Sequence, residues 1–200
     1  YLDHITARIQ LQIDAYRKEE NIPERLFAIL ERQHAELTAL REHAASGTNV
    51  LLQSPRRYGK TSLCRKTQHA LVAEGYVCVD VDFFGVDSVD ETARRIARGV
   101  ARGIHSRQSL LDKGKRYLSA FRAFRPVLRP NQESGFEVGI ERVGDVPDGR
   151  TLLDDTLQDM ARFIQEGHFP CHFVFDEFQE ITRLKESGLI EGLIRGAIQG

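Results

Sequence analysis

The segment from Ser54 to Ser62, written SPRRYGKTS, carries the side chains of this chain that are best suited to binding phosphate. It matches the phosphate-binding pattern G-x-x-x-x-G-K-[ST], except that serine replaces the first glycine. In that pattern, successive backbone N–H groups and a helix N-terminus surround a polyphosphate and replace the water that solvates its negative charges. The segment therefore predicts a site for a nucleoside triphosphate, which we take to be ATP because no N-K-x-D motif for reading guanine occurs.

The residue types in this segment have distinct predicted roles. Gly59 allows the backbone to approach the phosphates, and the Lys60 ammonium neutralises the β and γ phosphates. The Thr61 hydroxyl is a predicted Mg²⁺ ligand, and Ser62 is placed for the α phosphate. The predicted nucleotide-binding residues are Ser54, Pro55, Arg56, Arg57, Tyr58, Gly59, Lys60, Thr61 and Ser62.

Ser54 is the departure from the pattern. A residue other than glycine held at positive φ costs about 1–2 kcal/mol, whereas a charge-assisted contact from Lys60 to phosphate contributes about 1.5–3 kcal/mol. Loss of the first glycine is therefore expected to weaken or reshape the loop, and loss of Lys60 to abolish phosphate binding. Arg56 and Arg57 either contact the nucleotide or a partner, or are solvated at the apex of the loop.

A second group of reactive side chains follows the apolar run Phe173-Val174-Phe175, where Asp176 and Glu177 are adjacent. Ligands of α/β sheets bind at the carboxyl ends of strands, so Asp176 is predicted to hold Mg²⁺ together with Thr61. Glu177 is predicted to orient and deprotonate the attacking water, which makes Glu177 and Lys60 the predicted catalytic residues. The alternative is a strand end that leads into a solvated turn.

The strands that would hold these groups are short apolar runs bounded by turn residues. They are predicted at 49–53, 76–84 and 171–175. Alternating apolar residues predict a β-hairpin at about 127–143. Asp80 and Asp82, at the end of the second strand, either approach the metal or are solvated.

Helical spacing of apolar residues predicts the intervening elements. One helix runs from Lys60 to Glu74, residues 89–123 are mostly helical with an interruption near Ser106, another helix covers 152–164, and a last one begins near Gly188. Strand, loop, helix and strand in this order indicate an α/β fold with a parallel sheet.

The first 48 residues predict two helices separated at Asn21-Ile22-Pro23. The apolar seam of the second helix favours packing on the body of the domain, and the alternative is a short dimeric coiled coil through which the chain self-associates. The predicted domains are a helical extension at 1–46 and an ATPase domain at 47–200.

Composition and cysteine spacing limit the classes of protein to which this chain can belong. Charged residues make up 28% and hydrophobic residues 41%, as in globular chains. No apolar run approaches the roughly 18 residues of a membrane helix, and no signal-peptide pattern opens the chain. Cys64, Cys78 and Cys171 form no C-x-x-C pair, which predicts a reduced, cytoplasmic protein. His168, Cys171 and His172 lack the second ligand pair that a zinc site needs.

Residues 91–130 contain eleven basic residues but only two acidic ones, Glu91 and Asp112. Such a segment either attracts a polyanion such as DNA or is neutralised by acidic groups elsewhere in the fold.

RRYGKTSL, joined to a later FDEFQEI, resembles the prokaryotic and archaeal P-loop ATPases related to the STAND and AAA+ groups. The resemblance covers roughly residues 30–200 and implies a P-loop NTPase three-layer sandwich in which a catalytic glutamate follows the metal-binding aspartate. It also implies that the sensor strand, arginine finger and lid would follow Gly200, so the chain resembles an N-terminal portion. Members of the family often act with DNA or in defence and signalling.

Three functions remain open from the sequence. The first is ATP binding with Mg²⁺-dependent hydrolysis that drives a conformational switch. The second is a nucleotide-binding switch or scaffold without turnover, which is suggested by the serine at position 54 in place of the first glycine of the pattern. The third is a nucleic-acid-binding module that uses the basic segment 94–129.

Overall fold

The computed structural model describes residues 24–53, 59–105, 124–131, 135–142, 144, 148–168 and 170–199. The chain divides into two compact units, Tyr1–Thr67 and Gln68–Gly200. The predicted boundary between an N-terminal extension and an ATPase domain stays a prediction.

Helices dominate the described part of the first unit. Helix α1 runs from Glu24 to Ala45, and helix α2, Lys60–Ala73, begins in this unit and ends in the second. The predicted start of α2 at Lys60 is confirmed.

The segment 49–53 does not form the buried strand that its apolar residues predict. Residues 48–53 have neither helical nor strand structure, and the exposed fractions are 45% for Val50, 80% for Leu51 and 37% for Leu52. A strand needs a neighbouring backbone for its hydrogen bonds, and the described residues of the first unit offer no other strand. Hydrophobicity alone was therefore insufficient, and this prediction is wrong.

A two-stranded parallel sheet organises the second unit. Strand β1, Val77–Asp82, pairs with strand β4, Cys171–Asp176, in a register that runs from Val77 opposite Cys171 to Asp82 opposite Asp176. The predicted parallel pairing of helix-connected strands is confirmed, so the unit is a mixed helix and strand structure with a small parallel sheet, compatible with an α/β fold.

The core of the second unit lies on one face of β1. Val77, Val79 and Val81 are buried there, whereas Asp80 and Asp82 are exposed, so the side chains alternate as a strand with one covered face requires. Helix α3, Val89–His105, covers the apolar face with Ile96, Val100 and Ile104.

Two glycines let α3 lie directly against β1. A Cβ atom at Gly103 would lie 2.5 Å from the carbonyl oxygen of Cys78, and one at Gly99 would lie 2.7 Å from that of Asp80. Both distances are too short for a side chain, so the helix backbone can approach the strand only because these positions carry none.

Strands β2, Phe124–Asn131, and β3, Gly135–Arg142, form an antiparallel hairpin, which confirms the predicted one and begins three residues earlier. Helix α4, Gly149–Gly167, follows, and the Asp148 carboxylate caps it by accepting the Thr151 N–H at 2.8 Å. This bond lowers the pKa of Asp148.

Helix α4 contributes Leu152, Leu153, Leu157 and Met160 to the core before the chain enters β4. A 3₁₀ helix, Phe178–Arg183, and helix α5, Ser187–Gln199, complete the unit. None of the helices in the described ranges is both long and apolar enough to cross a membrane.

Candidate functional site

The Gly59-Lys60-Thr61 sequence lies where α2 begins. Gly59 has φ +82°, in the left-handed region that favours glycine, and its carbonyl accepts the first helical hydrogen bond from Leu63 N–H at 2.9 Å. The predicted lysine and threonine are therefore the first two residues of the helix. The first N–H groups of a helix have no acceptor within it, and the helix dipole is positive there.

The first turn of α2 contains no acidic residue, so no carboxylate within that turn competes with a bound anion. The Thr61 and Ser62 side chains are exposed, and Lys60 is half-buried. The other predicted loop residues, Ser54 to Tyr58, lie outside the described residues.

Asp176 occupies the predicted place at the carboxyl end of β4. Its main-chain carbonyl accepts the Phe83 N–H at 3.0 Å, which extends the ladder one residue past β1. Its Oδ1 atom accepts the N–H of Glu177 at 3.0 Å. Asp82 is the residue opposite in register, but its Oδ1 accepts the Phe84 N–H at 2.8 Å and so shapes the turn after β1.

Glu177 adopts a left-handed backbone conformation, with φ 52° and ψ 34°. A residue with a β-carbon is uncommon in this region and costs about 1–2 kcal/mol there. Backbone outliers of this kind concentrate at functional sites, where surrounding structure holds them in place.

An aromatic cluster holds the residues on either side of Asp176 and Glu177. The Phe175 and Phe178 rings are stacked, with centroids 6.2 Å apart. The Phe83 ring meets both of them edge-on, at 5.6 Å from Phe175 and 5.8 Å from Phe178. Such aromatic pairs stabilise by about 0.5–1.5 kcal/mol beyond their burial, which is enough to offset the cost of the left-handed residue between them.

The carboxylate of Glu177 is itself bonded. Gln179, two residues later on the 3₁₀ helix, donates a side-chain N–H to Glu177 Oε2. The next residue, Glu180, is buried and pairs with Arg183 at 2.7 Å.

Arg95 fixes the loop between β1 and α3. Its Nη1 donates to the carbonyls of Asp82 at 2.7 Å and Phe84 at 2.8 Å, and its Nε pairs with Glu91 at 3.0 Å. Arg94 pairs with Asp90 at 2.5 Å. Two arginines of the basic segment are thus neutralised locally, while residues 106–123 of that segment lie outside the described residues.

Thr61 lies in the first unit and Asp176 in the second. Each residue has the local setting that its predicted role requires, namely a helix start for Thr61 and a strand end for Asp176. That both bind one Mg²⁺ stays a prediction.

The candidate zinc ligands take different local roles. His168 ends α4 in a left-handed conformation, whereas Cys171 and His172 are the first two residues of β4. Within the described ranges, no three histidine, cysteine or acidic side chains are grouped so that they could hold a metal. Burial raises the pKa of the Cys171 thiol to about 12, so this thiol is neutral and unreactive.

Burial also lowers the pKa of His172, and its Nδ1 is buried without a hydrogen-bond partner in the part of the chain that the structure describes. Because the folded-state pKa is below the unfolded value near 6.5, the unfolded chain takes up the proton first.

We expect the stability of the fold to decrease as the pH drops below about 6.5. His172→Leu should reduce this dependence of the melting temperature on pH, measured in thermal melts between pH 7 and 5. The matched variant at the exposed His69, His69→Leu, should leave the slope unchanged; equal slopes in all three proteins would contradict the prediction.

Sequence reasoning missed three residues that shape this site, namely Phe83, Arg95 and Gln179. Gln179 stood within FDEFQEI, close enough to Glu177 for a bond, but only the left-handed turn brings the two side chains together.

Comparison of the chain with protein-family models, with curated proteins and with solved structures finds no match. The family resemblance carried by the two motifs therefore stays a prediction.

Proposed function

We propose that this chain binds ATP and, with Mg²⁺, hydrolyses it to drive a conformational switch, on a P-loop NTPase-type three-layer sandwich. The observation that carries the proposal is the start of α2, where Gly59 is left-handed and Lys60 and Thr61 open a helix whose first turn lacks acids. This arrangement presents backbone donors, a positive dipole end and an ammonium group together, which is the chemistry that a polyphosphate requires.

Two side chains take a direct part in the proposed hydrolysis. Lys60 binds the β and γ phosphates and stabilises the negative charge that develops on them. The Glu177 carboxylate accepts a proton from the water that attacks the γ phosphorus. The bond from that phosphorus to the β–γ bridging oxygen breaks, which releases ADP and phosphate.

The residues present suit Mg²⁺, which prefers oxygen ligands and binds through one or two carboxylates together with substrate phosphates. Asp176 supplies a carboxylate that is held at the end of β4 by the Glu177 N–H, and Thr61 supplies a hydroxyl. Asp176 and Thr61 are the residues that would hold the ion. When bound, Mg²⁺ would neutralise part of the phosphate charge.

Lys60→Ala is the test of this proposal. The sequence predicts that loss of Lys60 abolishes binding. A charge-assisted contact contributes about 1.5–3 kcal/mol, which sets the smallest expected effect as a fall in Mg·ATP affinity of about tenfold to a hundredfold. Isothermal titration calorimetry measures the change, and Lys66→Ala, at an exposed lysine of the same helix, is the matched control that should bind normally. Equal affinity in both variants, or no ATP binding by the unmodified chain, would contradict the proposal.

The second candidate is a nucleotide-binding switch without turnover. It is favoured by segment 49–53, which is exposed and unpaired where the phosphate-loop pattern places a strand. Single-turnover hydrolysis of radiolabelled ATP at excess protein distinguishes the two: Lys60-dependent binding without phosphate release would favour the switch.

A further inference from the structure

The turn that carries Glu177 has a fixed framework, although its functional side chains lie at the surface. The Phe178 ring is stacked on Phe175, and the Glu180 N–H donates to the Glu177 carbonyl at 2.9 Å. Gln179 lies between these two anchored residues, and its own carbonyl accepts the Thr182 hydroxyl at 2.7 Å. The backbone of Gln179 is therefore held from both sides, while its side chain is exposed.

The left-handed conformation of Glu177 determines which side chains can meet. In an ordinary helix, residues two apart do not face each other. Here Glu177 lies outside the 3₁₀ helix with φ 52°, and Gln179 Nε2 donates to Glu177 Oε2. Without such a bond, a glutamate at the surface would exchange among several rotamers.

The bond uses one carboxylate oxygen of Glu177 and leaves the other available. Within the described part of the chain, Oε1 of Glu177 has no hydrogen-bond partner. An ionised carboxylate accepts hydrogen bonds and the glutamine amide donates them, so the contact pairs a donor with a matching acceptor. A general base acts well when a third group fixes its orientation.

We infer that Gln179 is a positioning residue that holds the Glu177 carboxylate with Oε1 directed to accept the proton of the attacking water. The inference rests on the proposed function, because it assigns a role within that hydrolysis. In this role Gln179 acts through its hydrogen bond to Glu177.

Two substitutions at Gln179 distinguish the effect of losing the N–H donor from the effect of changing the size of the side chain. Gln179→Leu keeps a similar volume without a donor, and Gln179→Glu keeps the shape but replaces the N–H group by an oxygen. We expect kcat for ATP hydrolysis to fall by about tenfold to a hundredfold in both, since small displacements of a reacting group cost this much. KM and the Kd for Mg·ATP should change less than about twofold, because the substitutions remove no contact that holds ATP equally in the ground state and the transition state.

A double variant tests whether Gln179 acts through Glu177. In a Glu177→Gln background the base is absent, so adding Gln179→Leu should leave the residual single-turnover rate unchanged. Thr182→Ala is the matched control, because it removes a bond within the same 3₁₀ helix without touching Glu177; it should hydrolyse ATP at the normal rate.

The bond can also be observed without nucleotide. In ¹H–¹⁵N spectra, the Gln179 side-chain amide protons should shift downfield relative to those of exposed glutamines. Glu177→Gln removes the charged acceptor and should return them to ordinary positions.

The outcomes separate this inference from the proposed function. Reduced kcat with unchanged KM, an unchanged melting temperature and no further loss in the double variant would support it. Normal kcat in Gln179→Leu, while Glu177→Gln is inactive, would overturn the inference alone. A further loss in the double variant, or a lowered melting temperature, would assign Gln179 to folding and also overturn it. Absence of Lys60-dependent hydrolysis in the unmodified chain would overturn both.

Discussion

Glu177→Gln is expected to bind Mg·ATP as tightly as the unmodified chain and to hydrolyse it about 10²–10⁴ times more slowly. The amide has nearly the shape of the carboxylate, so the turn is retained, together with the hydrogen bond that the main-chain N–H of residue 177 donates to Asp176 Oδ1. It cannot accept a proton from water, so the loss falls on kcat and not on binding.

The measurement is phosphate release in a single turnover, paired with calorimetric affinity for Mg·ATP. Glu186→Gln serves as the matched control, because Glu186 is exposed in the turn before α5. A Glu177→Gln protein that turns over at the normal rate would remove Glu177 from the mechanism while leaving the phosphate site standing.

Gly103→Val should destabilise the second unit by about 4 kcal/mol, because overpacking in a core is among the few causes of such large losses. The added Cβ alone would lie 2.5 Å from the Cys78 carbonyl oxygen and 3.1 Å from a methyl carbon of Val79. The carbonyl belongs to β1, whose backbone is paired with β4 and cannot move away without breaking that ladder. Thermal melts should show a fall of about 8–16 °C for a chain of this size.

The same substitution at Gly192 provides the control. Gly192 also lies inside a helix, α5, but a Cβ atom there would meet nothing within 4 Å. Valine and glycine have similar helix propensities, so Gly192→Val should change stability by less than about 0.5 kcal/mol. Equal losses at the two positions would show that helix propensity, and not contact with β1, determines the effect.

Sequence patterns predicted the strands correctly where an apolar run also pairs with another strand. The valine-rich run around Val79 and the apolar run before Asp176 predicted β1 and β4 to within two residues, since turn residues bound both runs. The run at Val50 to Leu52 looked equally apolar but forms no strand. Pairing depends on a distant segment of backbone, which no local pattern contains.

In the candidate site, too, some features follow from the local sequence and others do not. Motif spacing placed Lys60 at a helix start and Asp176 at a strand end, because both depend on local order along the chain. The bond from Gln179 to Glu177 and the clamp that Arg95 makes on the β1–α3 loop depend on a left-handed residue and on contacts eleven to thirteen residues apart. Residue type alone indicated neither.

At position 177, the residue that would best suit the backbone conformation differs from the one that the proposed hydrolysis requires. Glycine or asparagine would tolerate this conformation better, and yet the chain has a glutamate there. Any directed-evolution programme that selects this protein for heat tolerance alone would thus be drawn to position 177 early, and under the proposed function its most thermostable survivors would still bind ATP but no longer hydrolyse it.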